Sequence, residues 1–267
     1  MNAVLFGHLW RSQRTKLLVA SVAMAAWNVF LPVIYQAFGQ QMKSLIDSGV
    51  IPKQFTNFGG GDVFSLAGSV ALGYIHPIAI ILVSIFAIGF STSAIAGERQ
   101  RGTLEVVLAR PVSRRTVYLT ELAAVLVFVG VVLAAASVGT LIGSALSGVL
   151  DELAIGRLPL LWLNGLLLWG TFAAIGLAAS VSFDRLSPAL GITLAIVIVS
   201  YFLEILGSLW PDAKGLQPYS LFHYLRSQEI LSGSADPFAF GLLALVGAIA
   251  IGVALVVFPR RDLAAPS

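Results

Sequence analysis

The sequence predicts an all-α integral membrane fold with six transmembrane helices, and three observations carry that prediction. Of the 267 residues 58% are hydrophobic and only 11% are charged, whereas a soluble domain carries about 25% charged residues. Mean hydropathy is +0.92, more apolar surface than one core of this length can hide, because the buried fraction saturates at about three quarters. The charges also cluster between apolar stretches, each close to the roughly 20 residues that cross the hydrocarbon.

Residues 2–11 place Val4, Leu5, Phe6, Leu9 and Trp10 along one side of a helix. That pattern suits an N-terminal interfacial helix with its Trp at headgroup depth, although so short a periodicity also fits an unstructured tail. The apolar run after Arg11, Arg14 and Lys16 continues to Met42, well past the roughly 7–15 residues of a signal-peptide core, so it reads as a retained anchor. Span one is expected at 17–38 and span two at 66–90, with Pro32 and Pro77 as candidate kinks. Spans three to six follow at 122–146, 158–182, 186–209 and 237–258. Before span six, residues 216–225 are too few to cross a bilayer and too apolar to float in water, which predicts an outer re-entrant or interfacial segment. The whole chain, 1–267, reads as a single transmembrane domain. Gly139-x-x-x-Gly143 and Ala248-x-x-x-Gly252 would permit close helix approach, but such spacings are common by chance among 26 glycines.

With six spans both termini share a side, and the basic residues choose which. Eleven of the sixteen lie on the terminus side: Arg11, Arg14, Lys16, Arg99, Arg101, Arg110, Arg114, Arg115, Arg185, Arg260 and Arg261. Lys43, Lys53, Arg157, Lys214 and Arg226 lie opposite. The positive-inside rule therefore predicts cytoplasmic termini in a multi-pass cell-membrane (plasma or inner membrane) protein. The net charge of +3 is accounted for by these helix-flanking residues, so nucleic acid is not an expected partner; membrane lipid is.

Several chemistries are absent. A phosphate-binding loop ends in Gly-Lys, and none of Lys16, Lys43, Lys53 and Lys214 follows a glycine. There is no cysteine, and His8, His76 and His223 are too far apart in sequence for a zinc-binding motif. No cofactor, metal or catalytic site is expected in this chain. His76, beside Pro77 in span two, fits a hydrogen-bonded structural histidine. Glu204 is the one carboxylate well inside an apolar segment, by default a functional-site hypothesis. Counted from Leu186 it lies about 27 Å along span five, near the outer headgroups, where Arg157 or Arg226 could pair with it.

The linker at 97–115 is the most informative stretch. Its charges interleave with Leu104, Val107 and Leu108. Pro111 disfavours helix at Arg110 and would end a short helix there, and Ser113 is a candidate cap for the helix that becomes span three. A surface helix and an ordinary charged loop both fit this pattern.

This run resembles the signature E-R-x-x-G-T-L-E-x-L-L-x-x-P-x-S-R between the second and third helices of ABC-2-type permeases. Glu98, Arg99, Gly102, Thr103, Leu104, Glu105, Leu108, Pro111, Ser113 and Arg114 match, and Val107 stands where Leu is usual. The resemblance implies the membrane subunit of a type V, ABCG-like exporter. The linker would be a cytoplasmic coupling helix that docks on a separate ATPase through Glu98, Arg99, Arg101, Gly102, Thr103, Leu104, Glu105 and Arg110. Asp184 and Arg185 in the loop between spans four and five would be a second contact. Two permease copies, most simply a homodimer, would work with two copies of the ABC ATPase, and ATP and Mg would be bound by that partner subunit. The resemblance also places spans two and five near the two-fold axis. Polar and aromatic side chains there would line a substrate path: Asn28 and Tyr35 on span one, His76 and Ser84 on span two, and Thr193, Ser200, Tyr201 and Glu204 on span five. Thr193, Ser200 and Glu204 share one helical face, which could equally pack inside its own subunit. A stand-alone secondary carrier or channel is the alternative; against it stand the lack of midplane charge and of repeats with broken helices. A membrane enzyme or scaffold would lack any catalytic constellation.

Overall fold

The computed structural model describes residues 1–50, 62–104 and 112–261. The first helix, α1, runs Ala3–Asp47 without interruption and is capped by the Asn2 side chain, which accepts from the Leu5 N–H at 3.0 Å. The expected separate interfacial helix does not form. Nothing between Trp10 and Leu17 is a glycine, a proline or a capped break, so the amphipathic turns propagate into span one. Pro32 is passed without a break. At about 1.5 Å per residue α1 is roughly 68 Å long, about twice the hydrocarbon thickness.

Span two is broken. Helix α2, Leu66–Ile75, stops at His76, whose ψ of 145° is extended, and α3, Pro77–Ser93, leaves at 42° to it. The cause is local: the residue before a proline avoids helical ψ, and Pro77 has no N–H to give back. Within α3 the stretch Ile85–Phe90 winds as a π-helix, which the sequence did not announce. Among the described residues five other helices are long and apolar enough to cross a membrane, and the bent pair, counted as one span, makes six.

The linker also differs from the expectation of one helix ending near Pro111. Helix α4 covers only Ala96–Gln100. Gly102, at φ +69°, closes it: the Gly102 N–H reaches Arg99 O (3.0 Å) and the Thr103 N–H reaches Glu98 O (2.9 Å). This paired pattern is the usual glycine stop of a helix. Leu104 has helical backbone; Glu105 and Arg110 lie outside the described residues.

Helix α5 spans Arg114–Leu146, with Ser113 Oγ accepting from the Thr116 N–H as expected. Helices α6, Leu158–Ser182, and α7, Leu186–Leu209, have the expected bounds, and α9 runs Pro237–Arg260. Between α7 and α9 lie two 3-10 turns, Pro211–Tyr219 and Phe222–Tyr224, and the short α8, Ser227–Leu231. Phe222 is fully buried against Trp169, Phe172 and Tyr201, with ring centroids 5.4–5.8 Å away. Those rings sit 8–14 residues from the ends of α6 and α7, so the segment dips roughly 12–20 Å into the bundle. It is re-entrant, built from tight turns rather than from one helix.

Helix α6 is the centre, with 61% of its apolar window buried against 17% for α9. Helices α1 and α5 run parallel in register: the Asn2 N–H donates to Thr120 Oγ1 at 2.9 Å, and Trp10 meets Phe128 at 5.9 Å. Further along, a Cβ on Gly139 would lie 2.2 Å from Ala25 O and one on Gly143 2.4 Å from Val29 O. The Gly139/Gly143 pair therefore admits the α1 backbone, whereas a Cβ on Gly252 would meet nothing within 4 Å. Arg114 donates to the carbonyls of Phe258, Pro259 and Arg261, which fixes the start of α5 to the end of α9. This is the terminus end of the bundle; the re-entrant segment marks the hairpin end.

Candidate functional site

At the terminus end the linker is fastened to the bundle by buried hydrogen bonds. A helix start leaves N–H groups without partners, and α4 has no side-chain cap of its own. Ser180 of α6, fully buried, supplies what is missing. Its Oγ accepts from the N–H groups of Ile95 (3.0 Å) and Ala96 (2.9 Å) and donates to Thr92 O (2.7 Å). Gln100 Oε1 accepts from the Leu186 N–H at 3.0 Å and so caps α7 from the linker. Asp184, between α6 and α7, receives Arg99 at 2.5 Å and also Arg261, whose other nitrogen donates to Val181 O at 2.7 Å. Asp184 is 61% exposed, so these ion pairs contribute about 0–1 kcal/mol each. The bonds around Ser180 hold the position, because breaking them strands buried N–H groups at about 1–3 kcal/mol each.

Of the residues expected in the linker contact, Glu98, Arg99, Arg101, Gly102, Thr103, Leu104 and Asp184 are gathered at this end. Glu98 accepts from both Arg101 and Thr103. Leu104 is buried. Arg101 and Arg185 point outward. Sequence reasoning missed Ser180, Gln100 and Arg261; a serine inside an apolar helix carries no signal of a tertiary cap.

The expected path residues divide into separate groups. Asn28 is buried, donates to Met24 O at 3.0 Å, and presses its Oδ1 on Gly73 with no hydrogen-bond partner. His76 stacks on Trp27 (4.5 Å), and its Nδ1 accepts from the Ile78 N–H at 3.3 Å. Both therefore sit where α1 meets the bend of span two. Tyr35 lies toward the hairpin end, lining a polar cavity of about 440 Å³ with Gln36, Asp62 and Glu152. Ser84 is half-buried just before the π-helical stretch.

On α7, Thr193, Ser200 and Glu204 are all buried, and Tyr201 is half-buried beside Phe222. Thr193 Oγ1 donates to Ala189 O at 2.8 Å. The re-entrant segment covers the other two. Ser220 Oγ donates to Ser200 O (2.7 Å), and the Leu221 N–H donates to Ser200 Oγ (2.8 Å). Gln217 Nε2 donates to Glu204 Oε1 at 3.0 Å, and His223 Nδ1 lies 3.4 Å from Oε2. The expected direct pairing of Glu204 with Arg157 or Arg226 is replaced by His223. Arg226 stands behind that ring, with Nη2 at 3.1 Å from His223 Nε2 and Nη1 donating to Glu229 at 2.8 Å. Asn164 of α6 fixes the same segment, donating to Tyr224 O (3.0 Å) and accepting from the Arg226 N–H (3.1 Å). The polar face of α7 is thus closed within its own subunit. Among the described residues no group of three or more His, Asp or Glu could hold a metal ion.

Compared with known families, residues 6–263 match the model of the family described as ABC-2 family transporter protein. Among curated proteins none matches the chain.

Proposed function

Since the chain belongs to the ABC-2 family of transporter proteins, which supply the permease subunits of ABC transporters, we propose that it is the permease of an exporter in the cell membrane. Two copies pair with each other and with two separate ATPase subunits, and ATP and Mg bind to those partners. Both termini and the linker face the cytoplasm. The observation that supports this most is the fastening of the linker: α4 is bonded to the end of α6 and the start of α7, and through Asp184 and Arg261 to the end of α9. A partner that pushes on Arg101, Thr103 and the stretch beyond Leu104 displaces the ends of several spans together, as coupling to a separate motor requires. Charged side chains turned outward beside buried Leu104 suit a polar docking surface with an apolar root.

The broken span two gives the secondary-carrier reading one supporting feature, because broken helices mark carrier sites. The side chains at that break are Asn28, His76 and Trp27; none is a carboxylate, and the one titratable ring, His76, turns its Nδ1 to the Ile78 N–H rather than to an ion partner, so the permease reading is kept.

The test is co-expression with the cognate ATPase. The purified chain alone shows no ATP hydrolysis, the pair co-purifies in detergent, and Arg101→Glu combined with Leu104→Pro lowers co-purification about tenfold or more while membrane insertion is unchanged. Hydrolysis by the homogeneous isolated chain sinks the proposal.

A further inference from the structure

Glu204 is buried within an apolar helix, with one oxygen held by Gln217 and Oε2 without a hydrogen bond. The neighbouring imidazole has a defined orientation. A guanidinium only donates, so Arg226 Nη2, 3.1 Å away, requires His223 Nε2 to accept. The ring proton therefore sits on Nδ1 and faces Glu204 Oε2 across 3.4 Å. At that separation the attraction is real, but the hydrogen bond is not closed. Glu204, His223, Arg226 and Glu229 form a file of alternating acceptors and donors from the interior of α7 to the exposed edge of the re-entrant segment.

A second observation concerns the segment itself. Arg226 Nε, Ser227 Oγ and Gln228 Oε1 are buried and, like Glu204 Oε2, have no hydrogen-bond partner. Buried polar groups left unpaired are costly, and a settled core rarely collects several in one place. The segment buries Phe222, Tyr224 and Leu225 against the bundle, yet its position leaves part of its hydrogen bonding unmet. Unmet bonds in the closed position lower the cost of shifting it.

We propose that Glu204 and His223 are the catch of an outer lid. With Gln217 and the Ser200–Ser220 bonds they hold the re-entrant segment over the polar face of α7, and releasing them lifts the lid and exposes Ser200 and Glu204 toward the hairpin end. Arg226, fixed by Glu229, keeps the imidazole in the tautomer the catch needs. This rests on the reading of the chain as a permease only for what passes beneath the lid; the catch itself is a property of the single subunit.

The experiment uses the natural absence of cysteine. Val197→Cys, buried on the same face of α7 as Ser200 and Glu204 and no part of the catch, is introduced into the chain assembled with its ATPase, and its labelling by a membrane-impermeant maleimide is followed from the hairpin side. In the otherwise unchanged chain labelling is slow. His223→Ala or Glu204→Gln speeds it severalfold, the shift that loss of one buried polar contact of about 1 kcal/mol produces. His223→Phe keeps ring packing and removes the Nδ1 proton; it accelerates labelling as His223→Ala does if the catch is the attraction of that N–H for Glu204, and not if the ring only fills space. Labelling of Val197→Cys that is unchanged by Glu204→Gln and by both His223 variants, in chains that still co-purify with the ATPase, overturns the proposal. Faster labelling with no change in nucleotide-dependent transport upholds the catch and removes the path beneath it.

Discussion

Gly139 and Gly143 show how much one atom decides at a helix contact. A methyl group at Gly143 would stand 2.4 Å from Val29 O, and backbone on a paired helix cannot yield as a flexible side chain would. Gly143→Ala should therefore destabilise the protein by about 1–3 kcal/mol, the usual cost of overpacking a filled contact, read as an earlier thermal unfolding transition in detergent. Gly252→Ala is the matched control: with nothing within 4 Å, its transition should stay where the unaltered protein's is. Equal shifts for the two would contradict the contact. In the sequence the two small-residue pairs are indistinguishable, because spacing records that a close approach is possible and not which neighbour makes it. Glu204 has the same lesson. Its depth along span five was readable by counting, but its partners come from a segment of turns whose path no periodicity reports.

At the scale of elements, helix bounds flanked by charge coincide with the expected ones, as at both ends of α6 and the start of α7, where Arg157, Asp184 and Arg185 end the apolar runs. The elements that departed did so for identifiable reasons. Span three begins at Arg114 because Ser113 caps it there, so charged turns belong to the helix although not to the apolar run. The linker breaks at Gly102, a stop that the residue type allowed but Pro111 overshadowed. The bend at His76 followed from Pro77, while the π-helical turn beyond it had no marker. The bend yields a test. Replacing Pro77 by Ala restores an N–H for Gly73 O and lets His76 become helical. The ten residues of α2, about 15 Å long, would then swing by up to roughly 10 Å as the 42° angle closes. Spin labels at Ala67 and Val138 should report a distance changed by several ångströms. An unchanged distance would mean that the contact of Asn28 with Gly73 and the bond from Ser69 Oγ to Leu31 O (2.9 Å), not the proline, impose the angle.

For the molecule as a whole, hydropathy carried most of what is seen among the described residues: five helices long and apolar enough to cross a membrane, or six with the bent pair, a shared end for both termini, and apolar side chains such as Leu18, Ile198, Phe202 and Ile249 left exposed for lipid. The sidedness is open to direct measurement. Ser182→Cys, exposed at the terminus end, should be labelled by an impermeant maleimide only after intact cells are opened, and Ser234→Cys, exposed at the hairpin end, before. The reverse pattern would invert the protein in the membrane and remove the coupling role of the linker. The parallel pairing of α1 with α5 also constrains how the chain is made. Its binding surface for α1, ending at Gly143, leaves the ribosome about 100 residues after α1 is complete, roughly 5–20 s later at ordinary synthesis rates. Through that interval the Ala25 and Val29 backbone waits without its mate while α2 and α3 are inserted. The crossing that α1 makes is locked only once α5 has followed it, and its custody in the meantime falls to lipid or to the insertion machinery.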